Sequence, residues 1–143
     1  MRIISGLSAL GAGLFAASVA MAADPPDLVG TWKATGEATA SVHLGAANEH
    51  HDAYDEPSFG SAEYAWTMVI NEQKGRAFHG VAQSPKGAEE EIVGVVSFDG
   101  ESLLISGDNA GLFGEVVGDK IEFCFQDHAS DRAAVACYLT AKQ

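Results

Sequence analysis

Apolar and polar side chains alternate with a period of two through most of this chain, and short clusters of turn-forming residues interrupt the alternation at regular intervals. This pattern is typical of β-strands that bury one face and are joined by tight turns. The longest alternating stretch runs from Trp32 to Leu44, with a bend or bulge expected at Gly36. We therefore expect Trp32 and Leu44 on the buried face of this stretch and His43 on the exposed face.

Turn signals divide the pattern into eight predicted strands. The strands cover residues 31–44, 63–73, 76–83, 90–98, 101–106, 110–117, 120–126 and 133–141. Residues 45–62 lack the pattern and are predicted to form a long loop, which in a compact domain is either functional or disordered. Eight sequential strands joined mostly by hairpins predict an all-β fold, an antiparallel up-and-down β-barrel that leaves no sheet edge exposed. A β-sandwich is the alternative, because the 45–62 loop is long enough for a Greek-key crossover.

Residues 1–22 are typical of an export signal. Arg2 is the only charged residue among them, and the uncharged run that follows ends in a small-x-small motif at residues 20–22. We expect cleavage after Ala22, which leaves a single domain over residues 23–143. A membrane anchor is the alternative, but serine and glycine dilute the apolar run. The sequence thus predicts a periplasmic or secreted protein that has no membrane contact after cleavage.

The charge balance excludes two classes of partner. Aspartate and glutamate number 20 against 8 lysines and arginines, which gives a formal net charge of −12. Nucleic acids and anionic membrane surfaces require a basic face, so we expect neither as a partner. The sequence also lacks a Gly-x-Ser-x-Gly nucleophile motif and a phosphate-binding glycine loop. These absences favour a protein that is not an enzyme.

The two cysteines, Cys124 and Cys137, fall on the last two predicted strands. They lie opposite one another if the hairpin turns at about residues 130–131, and export places them in an oxidising compartment. We therefore predict one disulfide, which closes a loop of about 12 residues and contributes about 3 kcal/mol. The alternation places Cys124 on an outward face and Cys137 on an inward one. A bulge or an outward apolar patch must reconcile the two, and such a patch would also suit a homo-oligomer contact.

The first strand opens with the motif Gly30-x-Trp32. Together with the meander of strands, this motif resembles the opening of the calycin superfamily, which includes the lipocalins, fatty-acid-binding proteins and avidins. The resemblance implies a meander β-barrel in which Trp32 closes one end. Two features depart from these families: the last strand offers Lys142 rather than an arginine to cover Trp32, and Trp66 is the one further tryptophan, whereas avidins wall their biotin site with several. The resemblance is therefore to a fold and does not identify a ligand.

The predicted interior has two alternatives. The inward face after Trp32 carries only alanine and glycine as far as Ala40, which leaves room in the middle of the barrel. A small apolar ligand could occupy this room, with Tyr64, Trp66 and Phe78 as its lining residues. Side chains could fill it instead, because an eight-stranded barrel is near the size at which they suffice. The side chains available for a filled core are Tyr64, Trp66, Met68, Phe78, Phe113, Phe123 and Phe125.

Residues 49–56, Glu-His-His-Asp-Ala-Tyr-Asp-Glu, hold the densest group of potential metal-binding side chains. Imidazole and carboxylate groups suit a divalent metal, so His50, His51 and Asp52 are candidate ligands. His50 and His51 are adjacent, however, and would point in opposite directions on a strand, whereas metal sites take spaced ligands from a rigid frame. A solvated polar loop without a cofactor is the alternative.

Three functions follow from these features. The leading expectation is a periplasmic or secreted β-barrel binding protein for a small, mainly apolar molecule. The alternative is a protein-interaction or inhibitor module with a filled core, in which the 45–62 loop contacts a protein partner. The third is a metal-binding or catalytic barrel that uses the histidines of this loop.

Overall fold

The structure, a computed structural model, describes residues 24–37, 40–50, 52–60, 66–108 and 110–143. The predicted signal peptide, residues 1–22, lies outside this part of the chain. The described residues form ten β-strands and no helix, so none of them belongs to a helix that is long and apolar enough to cross a membrane. The strands are β1 (Gly30–Ala34), β2 (Ala40–Gly45), β3 (Tyr54–Gly60), β4 (Thr67–Lys74), β5 (Ala77–Gln83), β6 (Glu89–Val96), β7 (Ser102–Ser106), β8 (Ala110–Val117), β9 (Lys120–His128) and β10 (Arg132–Lys142).

Eight of the ten strands form a closed antiparallel barrel. Each strand from β4 to β9 pairs with the next in the chain, and β1 closes the ring by pairing with both β4 and β10. Strands β2 and β3 lie outside the ring, where β2 pairs with β10 and β3 pairs with β2. The prediction of an all-β, eight-stranded up-and-down barrel is confirmed. The closed ring excludes the β-sandwich alternative.

The predicted strand over residues 31–44 is divided into β1 and β2 by a bend. Gly36 lies at this bend with a φ of 81°, a conformation that glycine adopts without steric cost. The bend shifts the side-chain alternation by one position. As a result His43 is buried and Leu44 is 41% exposed, the reverse of the prediction. Ala40 is exposed for the same reason, so the predicted wall of small residues does not continue along the interior.

The predicted 45–62 loop contains a strand, so that prediction is wrong over Tyr54–Gly60. β3 occupies these residues and pairs with β2 at the end of the strand order. Its side chains are mostly exposed, and Pro57 lies in the middle of it. Apolar and polar residues alternate in strands that bury one face, so an exposed outer strand such as β3 does not show this pattern. Pro57 is tolerated there because β3 lies at a sheet edge.

Apolar side chains fill the described interior of the ring. The largest fully buried side chains include Tyr138, Phe123 and Met68, each no more than 1% exposed. Burial raises the pKa of the Tyr138 hydroxyl well above its usual value. The predicted core positions Phe123 and Phe125 are therefore confirmed as inward-facing.

We name the two ends of the barrel after Trp32 and Trp66. At the Trp32 end, where β1 begins, the Trp32 indole Nε1 donates a hydrogen bond to the Leu28 carbonyl oxygen at 2.8 Å. Lys142 Nζ lies 5.7 Å from the centroid of the Trp32 ring. β4 is antiparallel to β1 and starts at the opposite end of the barrel, which we term the Trp66 end.

Candidate functional site

Of the predicted ligand-lining residues, the structure describes Trp66 and Phe78, and these two do not line a common pocket. Trp66 and Phe78 both point into the barrel, and each is 5% exposed. Phe78 lies near the Trp32 end, where its ring occupies the space that a side chain at Gly94 would need. Along β5 this position is about 20 Å from the level of Trp66. Tyr64 lies outside the described residues, so its role stays a prediction.

The described side chains beside Trp66 pack closely against one another. The cavity enclosed by Trp66, Glu90, Leu112 and Phe125 has a volume of about 10 Å³, which is at most enough for one water molecule. The Trp66 and Phe125 rings pack with their centroids 5.7 Å apart. A ligand would have to displace these side chains in order to enter the barrel here.

The described residues between β2 and β3 form a polar cover over the Trp66 end. The His50 ring packs against Trp66 with the ring centroids 4.8 Å apart. Asn48 Nδ2 donates a hydrogen bond to Asp127 Oδ2 at 3.1 Å, and Arg132 Nε donates to the same oxygen at 2.9 Å. These contacts join the polar cover to β9 and β10.

Trp66 Nε1 and Asp127 Oδ1 are buried at this end, and neither has a hydrogen-bond partner within the described part of the chain. The Asp127 side chain is only 7% exposed, and both of its hydrogen bonds go to the other oxygen. Because an unpaired buried polar group costs about 1–3 kcal/mol, a bound molecule that paired with either atom would gain free energy.

His43 lies beneath the polar cover and is 1% exposed. Its ring contacts the Tyr54 ring edge-on, with the centroids 5.2 Å apart. Burial lowers the pKa of the His43 imidazole below its usual value, and the nearby Asp127 carboxylate partly offsets this effect. The folded protein therefore favours neutral His43.

We expect His43 to make the free energy of unfolding increase with pH. Its pKa is lower in the folded state, so the unfolded chain binds a proton first as the pH falls through about 6.5, the ordinary pKa of histidine, and stability is lost there. Urea unfolding of the wild type and of His43→Gln across this range should show a smaller slope in the variant. His79→Gln, which changes a half-exposed histidine, is the control, and equal slopes in the wild type and His43→Gln would contradict the assignment.

The predicted metal ligands are not brought together in the described structure. Asp52 Oδ1 accepts a hydrogen bond from Lys86 Nζ at 2.6 Å, His50 packs against Trp66, and His51 lies outside the described residues. Within the described ranges, no group of three or more histidine, cysteine, aspartate or glutamate residues is placed to hold a metal ion. The metal site stays a prediction without support from His50 or Asp52.

A row of exposed apolar side chains crosses the outer wall. Val95, Leu104 and Phe113 lie directly opposite one another on β6, β7 and β8. Their exposed fractions are 47%, 57% and 53%. We term these three residues, together with the disulfide described next, the outer apolar row. The prediction that Phe113 fills the core is wrong, because Leu112 takes the inward position on β8.

The predicted disulfide between Cys124 and Cys137 is confirmed. The two cysteines lie directly opposite one another on β9 and β10, with their Cα atoms 4.0 Å apart. Both face the outer wall, since their chain neighbours Phe123 and Tyr138 face the interior. The inward placement of Cys137 is therefore wrong, and no bulge is needed. Cys124 also lies opposite Phe113, so the disulfide extends the outer apolar row.

Two glutamates flank this row. Glu115 and Glu122 lie directly opposite one another on β8 and β9, each two positions from a member of the row. In the part of the chain that the structure describes, neither carboxylate forms an ion pair with a lysine or arginine. Like charges directly opposite in a sheet repel one another, so this pair favours an external cation.

Known protein families, curated protein sequences and solved structures give no match to this chain. The calycin resemblance therefore stays a prediction that rests on Gly30, Trp32 and the strand meander.

Proposed function

We propose that this protein is an exported β-barrel that binds a partner protein through its outer wall. One contrast carries the proposal. The cavity beside Trp66 measures about 10 Å³, whereas Leu104 and Phe113 on the outer wall are more than half exposed. A contiguous exposed apolar patch on a small soluble domain marks an interaction surface.

The contact surface differs from the one expected for a filled barrel. The sequence predicts the 45–62 segment as the contact region, but the polar cover within it packs against Trp66 and Asp127. Within the described residues, Leu104 and Phe113 of the outer apolar row are not covered in this way. The export-type sequence of residues 1–22 and the Cys124–Cys137 disulfide support a periplasmic or secreted location.

Site-specific photo-crosslinking in the native host tests this function. A photoreactive residue at Leu104 should yield a discrete crosslinked protein. The control position is Lys33 on β1, which is four strands away from β7 in either direction around the ring and therefore on the opposite wall. We expect no crosslink at Lys33. A photoreactive residue at Phe113 provides a second test position. Absence of a crosslink at both Leu104 and Phe113, or equal crosslinking at Lys33, would overturn the proposal.

A small apolar ligand at the Trp66 end is the second candidate. The unpaired Trp66 Nε1 and the aromatic contact with Phe125 favour it, although entry requires the polar cover to move. Native mass spectrometry of the exported protein, purified without refolding, separates the two candidates. An added mass of a few hundred daltons that is lost on denaturation supports the ligand, whereas a bare chain supports the filled barrel.

A further inference from the structure

The buried polar groups at the Trp66 end are not used by the outer wall. We infer that this end of the barrel binds a small organic ammonium ion, which takes the place of the His50 ring beside Trp66 and carries a hydrogen-bond acceptor at its other end. The inference is independent of the partner protein at the outer wall. It also names a charged ligand where the second candidate function has an apolar one.

The unpaired atoms at this end require opposite groups on a ligand. Trp66 Nε1 can only donate a hydrogen bond, and an ionised carboxylate oxygen such as Asp127 Oδ1 can only accept one. Trp66 is 5% exposed and Asp127 is 6% exposed, so both groups have lost most of their contact with water. A ligand with an acceptor at one end and a donor at the other would pair both atoms and remove the cost of leaving them unpaired.

The ligand can be small, because one short segment of the chain contacts both residues. The Asn48 side chain donates to Asp127 Oδ2, and the His50 ring packs against Trp66. Asn48 and His50 are themselves joined, since the His50 backbone N–H donates to Asn48 Oδ1 at 2.8 Å. A molecule about the size of these two side chains therefore spans the distance between the unpaired donor and the unpaired acceptor.

The charges at this end favour an ammonium group as the donor. Asp127 Oδ2 already accepts from Arg132 Nε at 2.9 Å, while Oδ1 is unpaired. A second buried carboxylate, that of Glu90, is 6% exposed and lines the cavity beside Trp66. An ammonium group donates a stronger hydrogen bond to a carboxylate than a neutral N–H does, and the faces of the Trp66 and Phe125 rings attract a cation.

The His50 ring occupies the space that the ligand needs. Its centroid lies 4.8 Å from that of the Trp66 ring, and the cavity enclosed around Trp66 has a volume of only about 10 Å³. A ligand with a ring of similar size could contact Trp66 once the His50 ring moves away. The His50 side chain is 10% exposed, so this exchange takes place at the mouth of the barrel and leaves the core intact.

The polar cover is held by contacts that a ligand can replace. Asn48 makes a single hydrogen bond to Asp127 at 3.1 Å. The ion pair between Asp52 and Lys86 joins side chains that are 72% and 41% exposed, and an ion pair this open to water contributes little to stability. Displacement of the cover is therefore compatible with binding of a small molecule.

Isothermal titration calorimetry with matched phenols tests the class of ligand. The probe is tyramine, which has an ammonium group and a hydroxyl oxygen at opposite ends of a ring. Tyramine should bind at least about tenfold more tightly than 4-ethylphenol, which lacks the ammonium group. 3-(4-Hydroxyphenyl)propionate, with a carboxylate in its place, should not bind. Equal binding of tyramine and 4-ethylphenol would assign this end to an apolar ligand, and that result or a lack of tyramine binding would overturn the inference.

A charge-matched pair of variants tests the position of the ammonium group. Asp127→Asn should weaken tyramine binding by about tenfold or more. The control is Asp27→Asn, which also removes one charge and one ion pair but lies beside Lys142 at the Trp32 end. It should bind tyramine as the wild type does. An equal loss in both variants would reduce the effect to overall charge and contradict the assignment to Asp127.

His50→Ala tests whether the ligand replaces the His50 ring. This variant should bind tyramine about three- to tenfold more tightly, because the space beside Trp66 is already vacant. A misfolded variant cannot produce such a gain. His79→Ala, which removes a half-exposed ring on β5, should leave the affinity unchanged. Unchanged or weaker binding by His50→Ala would overturn the exchange. Crosslinking at Leu104 is measured separately, so failure of the amine site would leave the partner protein in place.

Discussion

Trp32→Ala should lower the free energy of unfolding by about 3–5 kcal/mol, the range expected when a buried tryptophan is truncated. Trp32 is 5% exposed, so the substitution removes a large buried ring and leaves a cavity at its end of the barrel. It also removes the Nε1 donor that bonds to the Leu28 carbonyl oxygen at 2.8 Å. Since domains of this size are stable by only about 5–15 kcal/mol, the loss should be plain in urea unfolding followed by circular dichroism.

Two further variants identify the cause of that loss. Trp32→Phe keeps most of the apolar volume but removes the N–H donor, so it should retain more stability than Trp32→Ala. Phe113→Ala truncates an aromatic side chain that is 53% exposed on the outer wall, and should cost less than about 1 kcal/mol. If Trp32→Ala cost no more than Phe113→Ala, Trp32 would not close its end of the barrel.

The ring of the barrel was predictable because each of its hairpins is marked locally. Alternation fixes which face of a strand is buried, and turn residues such as Asp99-Gly100 fix where the chain reverses. The inward positions of Trp32, Trp66 and Phe123 follow from this pattern and are confirmed. Short-range sequence information is sufficient here because sequential neighbours in the chain are also neighbours in the ring.

The region between Gly36 and Gly60 was not predictable in the same way. A bend at Gly36 was expected, but a glycine does not reveal whether the alternation continues or shifts by one position beyond it. That shift places His43 in the interior and Leu44 outside. β3 buries neither of its faces fully, so no alternation marks it.

The outer apolar row depends on pairing between strands, and a single sequence does not show this. Leu104 and Phe113 are ordinary members of their own strands. They become a surface feature only because the registers of β6 to β10 align them with one another and with the disulfide. The alternation does assign Leu104 to one face, but which face is exposed and what lies beside it follow from the closed ring.

Removal of the disulfide, by Cys124→Ala together with Cys137→Ala, should lower the free energy of unfolding by about 3 kcal/mol. The bond joins residues that are 13 apart in the sequence and restricts the unfolded chain, so its loss raises the entropy of the unfolded state. It lies on the outer wall, where its removal opens no cavity in the core. The double variant also avoids a free thiol.

Urea unfolding of the wild type with and without reductant gives the matched comparison. The reduced wild type should unfold at the same urea concentration as the double alanine variant, because both lack the same constraint, and reductant should not change the variant. A reductant-insensitive wild type would contradict the stabilising role of the bond.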